Sequence, residues 1–161
     1  MSSYRPTAVI AICLLLAACG FQLRGEASVP ARMSRTYIAT NDTYSLFYRK
    51  LRDGLTQAGV EVVDSPGEST AVFSILGDNT DQRVLSVSAR NVPREFEVFY
   101  SVFYSVESGE DRIMAPQSLT LTRDYTYDET LVLGKAKEEE LLRQAIVDDL
   151  VRIILKQLSS L

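Results

Sequence analysis

The chain has 161 residues, of which 17 are basic and 21 acidic, giving a net charge of −4 at pH 7. This charge argues against non-specific nucleic-acid binding, because attraction to phosphates needs a basic surface. The chain has no histidine, which excludes histidine-based catalytic triads, histidine metal sites and the usual near-neutral general base. We therefore expect no metal, no cofactor and no nucleic-acid partner.

The N-terminal segment has the organisation of an export signal. Arg5 precedes an apolar run of about a dozen residues, which suits the core of a signal peptide and is too short to span a bilayer as a helix. Leu-Ala-Ala-Cys at residues 16–19 resembles the lipobox of bacterial lipoproteins, in which the cysteine is lipidated and becomes the first mature residue. The alternative is a plain signal peptide with an incidental cysteine. We expect residues 1–18 to be a lipoprotein signal peptide and Cys19 to be the lipidation site.

Cleavage before Cys19 would leave one ordinary domain. Cys13 leaves with the signal and Cys19 would carry lipid, so no intramolecular disulfide is expected. Residues 19–35 show no helical period and are predicted to be the lipidated cysteine followed by an extended tether. Residues 36–161 are predicted to form a single domain, which must be stabilised by packing alone.

This domain is predicted to begin with a strand, a helix and a second strand. Residues 36–40 are β-branched and aromatic, as in strands, and residues 41–43 are candidate helix N-caps. Apolar positions from Tyr44 to Ala58 recur at helical spacing, and Gly59 suits a left-handed C-terminal cap. Strand character resumes at residues 60–64. Because the strand, the helix and the second strand follow one another so closely, we predict a right-handed βαβ unit with two parallel strands.

The pattern then changes to consecutive strands and turns. In chain order these are a strand at 71–77, its continuation or a second strand at 84–89, a turn at 91–93, a strand at 96–106, a turn at 108–111 and a return strand at 119–127. Alternation over 96–106 is the clearest two-residue period in the chain. Arg123 is expected to interrupt the return strand.

The last predicted element is a helix over residues 135–158. Its apolar stripe consists of Leu142, Ile146, Val147, Leu150, Ile153, Ile154 and Leu158. Asp148 and Arg152 are spaced as an acid-before-base pair on the opposite face. The apolar stripe of this helix can be buried against one face of a sheet. The predicted fold class is therefore α+β. Two helices would pack on one face of a mixed, mostly antiparallel sheet of four to five strands.

The residues that follow the lipobox resemble the start of a known family. Cys-Gly-Phe-Gln-Leu-Arg at residues 19–24 is similar to the opening of LptE, the lipopolysaccharide-assembly lipoprotein, which begins with Cys, Gly, an aromatic, any residue, Leu and Arg. Residues 29–30, Val-Pro, also fit. So do residues 52–62, where Arg, Leu and Gly-Val stand at the family's spacing. The resemblance covers essentially the whole mature chain.

The resemblance implies a non-enzymatic lipoprotein at the periplasmic face of the outer membrane. Such a protein plugs and helps assemble the LptD β-barrel and assists lipopolysaccharide transport to the outer leaflet. Gly20, rather than Asp, is similar to lipoproteins sorted to the outer membrane. By local match the basic residues that bind lipopolysaccharide are Arg90 and Lys135, with Arg94 as an alternative to Arg90. The alternative function is a stand-alone outer-membrane lipoprotein adaptor for another envelope complex.

Two aromatic rings interrupt the polar face of the strand at 96–106. Odd positions there should be solvated, and Phe99 and Phe103 are the apolar exceptions. We interpret them as a partner contact, the alternative being isolated exposed apolar residues, which are common.

An enzyme is the rival class of function. The acid pairs Asp148/Asp149 and Asp124/Asp128 are candidates for glycoside hydrolysis, which needs two carboxylates facing one bond. Asp148 and Asp149 are adjacent on a helix, however, and would point about 100° apart. The sequence also lacks a nucleophile elbow, a glycine-rich phosphate loop and metal-ligand spacing. We therefore expect no catalytic activity.

Overall fold

The computed structural model describes residues 29–126 and 132–161, with side chains described for 29–126 and 136–161. The strands and helices are β1 Arg35–Ala39, α1 Leu46–Gln57, β2 Glu61–Val63, β3 Ala71–Val87, β4 Pro93–Ser108, β5 Asp111–Thr126 and α2 Val132–Leu158. Two short 3₁₀ helices cover Ala31–Met33 and Pro66–Glu68. The predicted signal peptide and Cys19 lie outside the described residues.

The strands form one five-stranded mixed sheet in the order β2-β1-β3-β4-β5. β1 pairs in parallel with β2 and with β3, whereas the pairs β3–β4 and β4–β5 are antiparallel. The predicted βαβ start is confirmed. β3 is one continuous strand with register shifts after Ile75 and after Val84, so of the two alternatives the single bent strand is confirmed. The predicted interruption at Arg123 is wrong, because Arg123 pairs with Val98 inside β5.

Both helices cover the same face of the sheet, which confirms the predicted α+β class. The even positions of β4 from Val98 to Val106 are buried beneath them, as the two-residue period predicts. The rings of Phe73 and Tyr104 stack with centroids 5.4 Å apart in this core. The odd positions of β4 therefore point away from the helices, but the prediction that all of the polar ones are solvated is wrong at Ser105, which is buried.

Helix α2 packs against α1 as well as against the sheet. Gly54 of α1 lies so close to α2 that an added Cβ would be 2.7 Å from Cγ1 of Val151. Val151 is accordingly buried, although it was not predicted in the stripe, and Ile153, which was, is only half-buried. The buried face of α2 is rotated toward α1 because the helix has two packing partners.

The start of α1 differs from the prediction. Tyr44 lies before the helix and is 88% exposed, so it is not a core position. The N-cap is Ser45, whose hydroxyl accepts from the backbone N–H of Tyr48 at 3.1 Å, and not one of residues 41–43. The left-handed cap at Gly59 is confirmed by its φ of 82°.

The predicted Asp148/Arg152 ion pair on α2 is wrong. Asp148 instead pairs with Lys50 of α1 at 2.8 Å. Asp149 forms an ion pair with Arg152 of the same helix and a second one with Arg123 of β5, the latter at 2.5 Å. These pairs connect α2 to both of its packing partners.

The residues before β1 also differ from the extended tether predicted to reach Arg35. Pro30 precedes the 3₁₀ turn Ala31–Met33, and Met33 is fully buried in the core. The carbonyl of Met33 accepts from the hydroxyl of buried Thr36 at 2.8 Å. Packing in the folded domain therefore extends to this segment.

Candidate functional site: a hairpin end and an uncovered sheet face

The turn between β3 and β4 has a defined backbone conformation. The N–H of Asn91 donates to the carbonyl of Ser88 at 2.9 Å, and the N–H of Ser88 donates to the carbonyl of Val92 at 2.8 Å. Asn91 has a φ of 63°, a left-handed value that asparagine tolerates better than most residues. The turn lies at residues 88–92, earlier than the predicted 91–93, because Pro93 already begins β4; Arg90 lies within this turn.

Arg90 and Arg94 are both exposed at this hairpin end. Within residues 29–126 and 136–161, neither guanidinium has an ion-pair partner. Nearby charges are engaged elsewhere: Glu95 accepts from the hydroxyl of Ser86 at 2.6 Å, and Arg83 pairs with Glu97 at 2.5 Å. Two guanidinium groups are thus available to an anion, and each can bind a phosphate through two parallel hydrogen bonds.

Lys135 belongs to the first turns of α2, and its side chain lies outside the described residues. The direction of α2 follows from two contacts further along the helix. Arg143 donates to Thr80 at 3.0 Å, and the carbonyl oxygen of the Gln157 side chain accepts from the hydroxyl of Tyr104 at 2.9 Å. Because Tyr104 is further from the β3–β4 turn than Thr80 is, the helix runs away from that turn. Its N-terminal end therefore lies toward the end of the sheet that carries the two arginines.

Phe99 and Phe103 both lie on the face of β4 that no helix covers in the described part of the chain. Phe103 is 44% exposed. The residue paired with it on β3 is Gly77, which has no side chain to cover the ring. Phe99 is only half-buried rather than open, between Asp81 and Thr122 of the neighbouring strands. The outward orientation is confirmed for both rings.

Three exposed aliphatic residues near the arginines were not predicted from the sequence. Val84, Leu85 and Val87 are 48, 46 and 53% exposed at the end of β3. Their composition looks like an ordinary strand. Only the lengths of the helices, which do not cover this end, could have indicated that these side chains stay in solvent.

A polar network joins the sheet to α2 beside a shallow cavity of about 390 Å³. The hydroxyl of Tyr100 donates to Asp78 at 2.6 Å, and the hydroxyl of Thr80 donates to the carbonyl of Phe99 at 2.8 Å. Burial, and secondly the hydrogen bond to Asp78, raises the pKa of Tyr100 well above its ordinary value. A phenol that stays protonated in this way is a hydrogen-bond donor to Asp78. We therefore infer that this network stabilises the fold.

The acid pairs considered for catalysis are not brought together as a site. Asp148 and Asp149 face different cationic partners, as described above. Asp124 is exposed on β5, and Asp128 lies outside the described residues. Among residues whose side chains are described, no three His, Cys, Asp or Glu residues are grouped so that they could hold a metal ion.

The fold is that of a class of small bacterial lipoproteins. A solution structure of lipoprotein B from Nitrosomonas europaea is similar with a TM-score of 0.72 and 31% identity, covering 88% of this chain and 91% of that one. A crystal structure of rare lipoprotein B from Shewanella oneidensis is similar with a TM-score of 0.69 and 25% identity, covering 78% and 94%.

The family model described as LptE, lipopolysaccharide-assembly, matches residues 33–158. The chain belongs to the LptE family. Among curated proteins, the LPS-assembly lipoprotein LptE of Yersinia enterocolitica is 27% identical over 147 residues, which is 90% of this chain and 70% of that protein. Neither described helix is long and apolar enough to cross a membrane.

Proposed function

We propose that this chain is an outer-membrane lipoprotein that plugs and helps assemble an LptD-type barrel and assists lipopolysaccharide transport to the outer leaflet. Membership of the LptE family and the names of the curated relatives support this non-enzymatic role. Residues 1–18 are the signal peptide in this proposal, and Cys19 carries the lipid. Lipid on Cys19, joined by the residues that follow it to the folded domain, would hold the domain at the periplasmic face of the membrane.

The observation that carries the ligand part of the proposal is the pair of exposed arginines at the β3–β4 hairpin end, which have no ion-pair partner among the described side chains. A guanidinium fork matches the geometry of a phosphate group, and a lysine adds a point charge. Arg90 and Arg94 would bind lipopolysaccharide phosphates, and Lys135 would join them from the start of α2. Because the whole chain is acidic, binding must depend on these local cations.

Charge reversal of the three basic residues tests this assignment. The variant Arg90→Glu/Arg94→Glu/Lys135→Glu should bind lipopolysaccharide at least tenfold more weakly, because each lost charged hydrogen bond costs roughly 1.5 kcal/mol or more. Wild-type affinity should fall as salt is raised, and the affinity of the variant should be much less salt-dependent.

The matched control is Arg49→Glu, since Arg49 is an exposed arginine on α1 that has no ion-pair partner within the described ranges. This control should bind lipopolysaccharide like the wild type. Equal affinities for all three proteins would remove Arg90, Arg94 and Lys135 from the ligand site.

The partner part of the proposal rests on the uncovered face of the sheet. Phe103 is open to solvent there, Leu76 beside it is 48% exposed, and Phe99 lies further along the same strand. Apolar side chains grouped on a sheet face that is otherwise polar are typical of a surface that binds another protein. We assign this face to contact with the barrel.

Replacing the two rings tests the barrel contact. Phe99→Thr/Phe103→Thr keeps the β propensity of β4, so the fold should persist while co-purification with the barrel falls at least tenfold. Tyr44→Thr is the control, because Tyr44 is the most exposed aromatic residue described and lies off this face. Undiminished co-purification of the double variant would exclude the two rings from the interface. Recovery of a different envelope complex by the wild type would favour the adaptor alternative.

A further inference from the structure

The end of β3 next to the turn is apolar but exposed. At the start of the strand, Ala71, Phe73 and Ile75 are buried beneath the helices. At its other end, Val84, Leu85 and Val87 are each about half exposed. The polar stretch at residues 77–83 separates these two ends of β3, so the aliphatic residues next to the turn form a separate, exposed group.

At this end of β3, two of the three residues lie opposite apolar residues of β4. Val84 is paired with Phe96 of β4, and the ring of Phe96 stacks on that of Tyr125 with centroids 5.6 Å apart. Leu85 is the extra residue between two pairs of the β3–β4 ladder, and Val87 is paired with Pro93. A bulge of this kind bends a strand and redirects its side chains.

Arg90 and Arg94 lie close in the strand register to these aliphatic residues. Arg94 falls between Glu95, paired with Ser86, and Pro93, paired with Val87, so it lies at the level of the three aliphatic residues. Arg90 follows Val87 by three residues in the turn. A soluble phosphate ester would use the cations and leave the aliphatic side chains in water. An uncharged lipid would use the aliphatic side chains and leave the cations unused. An amphiphile that carries both phosphate and acyl chains satisfies both.

We propose that Val84, Leu85 and Val87 contact the acyl chains of the same lipid whose phosphates bind Arg90 and Arg94. This inference rests on the proposed ligand function and extends it from the charged head to the acyl region. Burial of the exposed half of each side chain against acyl chains adds a favourable hydrophobic contribution to the affinity. The hairpin end would then bind an acylated ligand more tightly than its deacylated form.

The chain contains no tryptophan, so a single substitution supplies a site-specific fluorescent reporter. Leu85→Trp in the full-length protein should shift its emission to the blue when acylated, bisphosphorylated lipid A is added, and acyl chains carrying bromine should quench it. Deacylated lipid A should produce neither effect. Leu161→Trp is the control, because Leu161 is also an exposed leucine and follows the end of α2, which runs away from the turn that carries the arginines. Its emission should not respond.

Polar substitutions give a second readout that does not depend on the tryptophan. Val84→Thr, Leu85→Gln and Val87→Thr should each weaken lipid A binding roughly threefold to tenfold. None of the three should change binding of the deacylated form.

The outcomes separate this inference from the function on which it rests. An unchanged emission of the Leu85→Trp variant, with lipid A still bound through the arginines, would overturn the acyl contact alone. Failure of Arg90→Glu/Arg94→Glu to weaken lipid A binding would overturn the proposed ligand function. An equal blue shift with phosphatidylcholine vesicles would indicate non-specific insertion, and a shift seen only with a protein partner would indicate a protein interface. Either result would overturn the inference.

Discussion

Replacing Gly54 with alanine tests how closely the two helices approach each other. In the interior of a helix this substitution normally stabilises by about 1 kcal/mol, because alanine has the higher helix propensity. Here the new Cβ would lie 2.7 Å from Cγ1 of Val151 and 3.1 Å from Cδ1 of Leu155. Valine has a stiff side chain in a helix, so Val151 cannot turn aside easily. Overpacking costs about 1–3 kcal/mol, and we expect a net destabilisation of about 1 kcal/mol.

A second substitution should reverse the sign of this effect. Val151→Ala removes the methyl group that the new Cβ would meet. In that background Gly54→Ala should stabilise by about 1 kcal/mol, which makes the coupling between the two sites about 2 kcal/mol.

The assay is urea unfolding followed by circular dichroism, on the chain produced without its first 19 residues. Gly67→Ala is the control, because the nearest atom to its added Cβ is the Ser65 hydroxyl at 3.8 Å; it should change stability by less than about 0.5 kcal/mol. An equal stabilisation by Gly54→Ala in both backgrounds would refute the close approach of the helices.

Two further predictions concern the anchor and the buried phenols. Cys19→Ala should give a protein that is exported but released from the membrane fraction, as measured by fractionation; firm membrane retention without acylation would contradict the lipidation site. Burial raises the pKa of Tyr100 and of Tyr104. Their contribution to stability is therefore complete below the unfolded value of about 10 and is lost as pH rises above it, by at most about 1.4 kcal/mol per pH unit for each phenol. Tyr100→Phe should show a shallower loss of unfolding free energy above pH 10, and a curve parallel to that of the wild type would contradict the assignment.

Much of the fold could be predicted because its signals are local. The alternation along β4 identifies the residues that face the helices, from Val98 to Val106. The spacing around Gly59 locates the end of α1, whose φ of 82° suits glycine. Periodicity of this kind depends only on neighbours in sequence, so no knowledge of the tertiary arrangement is needed.

The errors arise where residues distant in sequence meet. Asp148 pairs with Lys50 on another helix, which the spacing within α2 cannot indicate. The burial of Val151 in place of Ile153 has the same origin, since it depends on where α1 lies. A sequence pattern finds an amphipathic helix but does not reveal a second packing partner.

The candidate site was predictable only in part. The arginines at 90 and 94 followed from a resemblance, but their lack of ion-pair partners in the described part of the chain required the three-dimensional structure. The exposure of Val84, Leu85 and Val87 depends on where the helices stop covering β3. No sequence period encodes that boundary, because it is set by helix length and position.

The most direct test of the proposed role is to identify what the protein binds in the envelope. An affinity-tagged, full-length copy should be crosslinked in living cells, purified from the outer-membrane fraction, and its partners identified by mass spectrometry. We expect a stoichiometric LptD-type barrel, with a matching loss in the Phe99→Thr/Phe103→Thr variant. Recovery of a different envelope complex, or of no barrel under conditions in which Cys19 is lipidated, would contradict the proposal that this chain is a barrel plug.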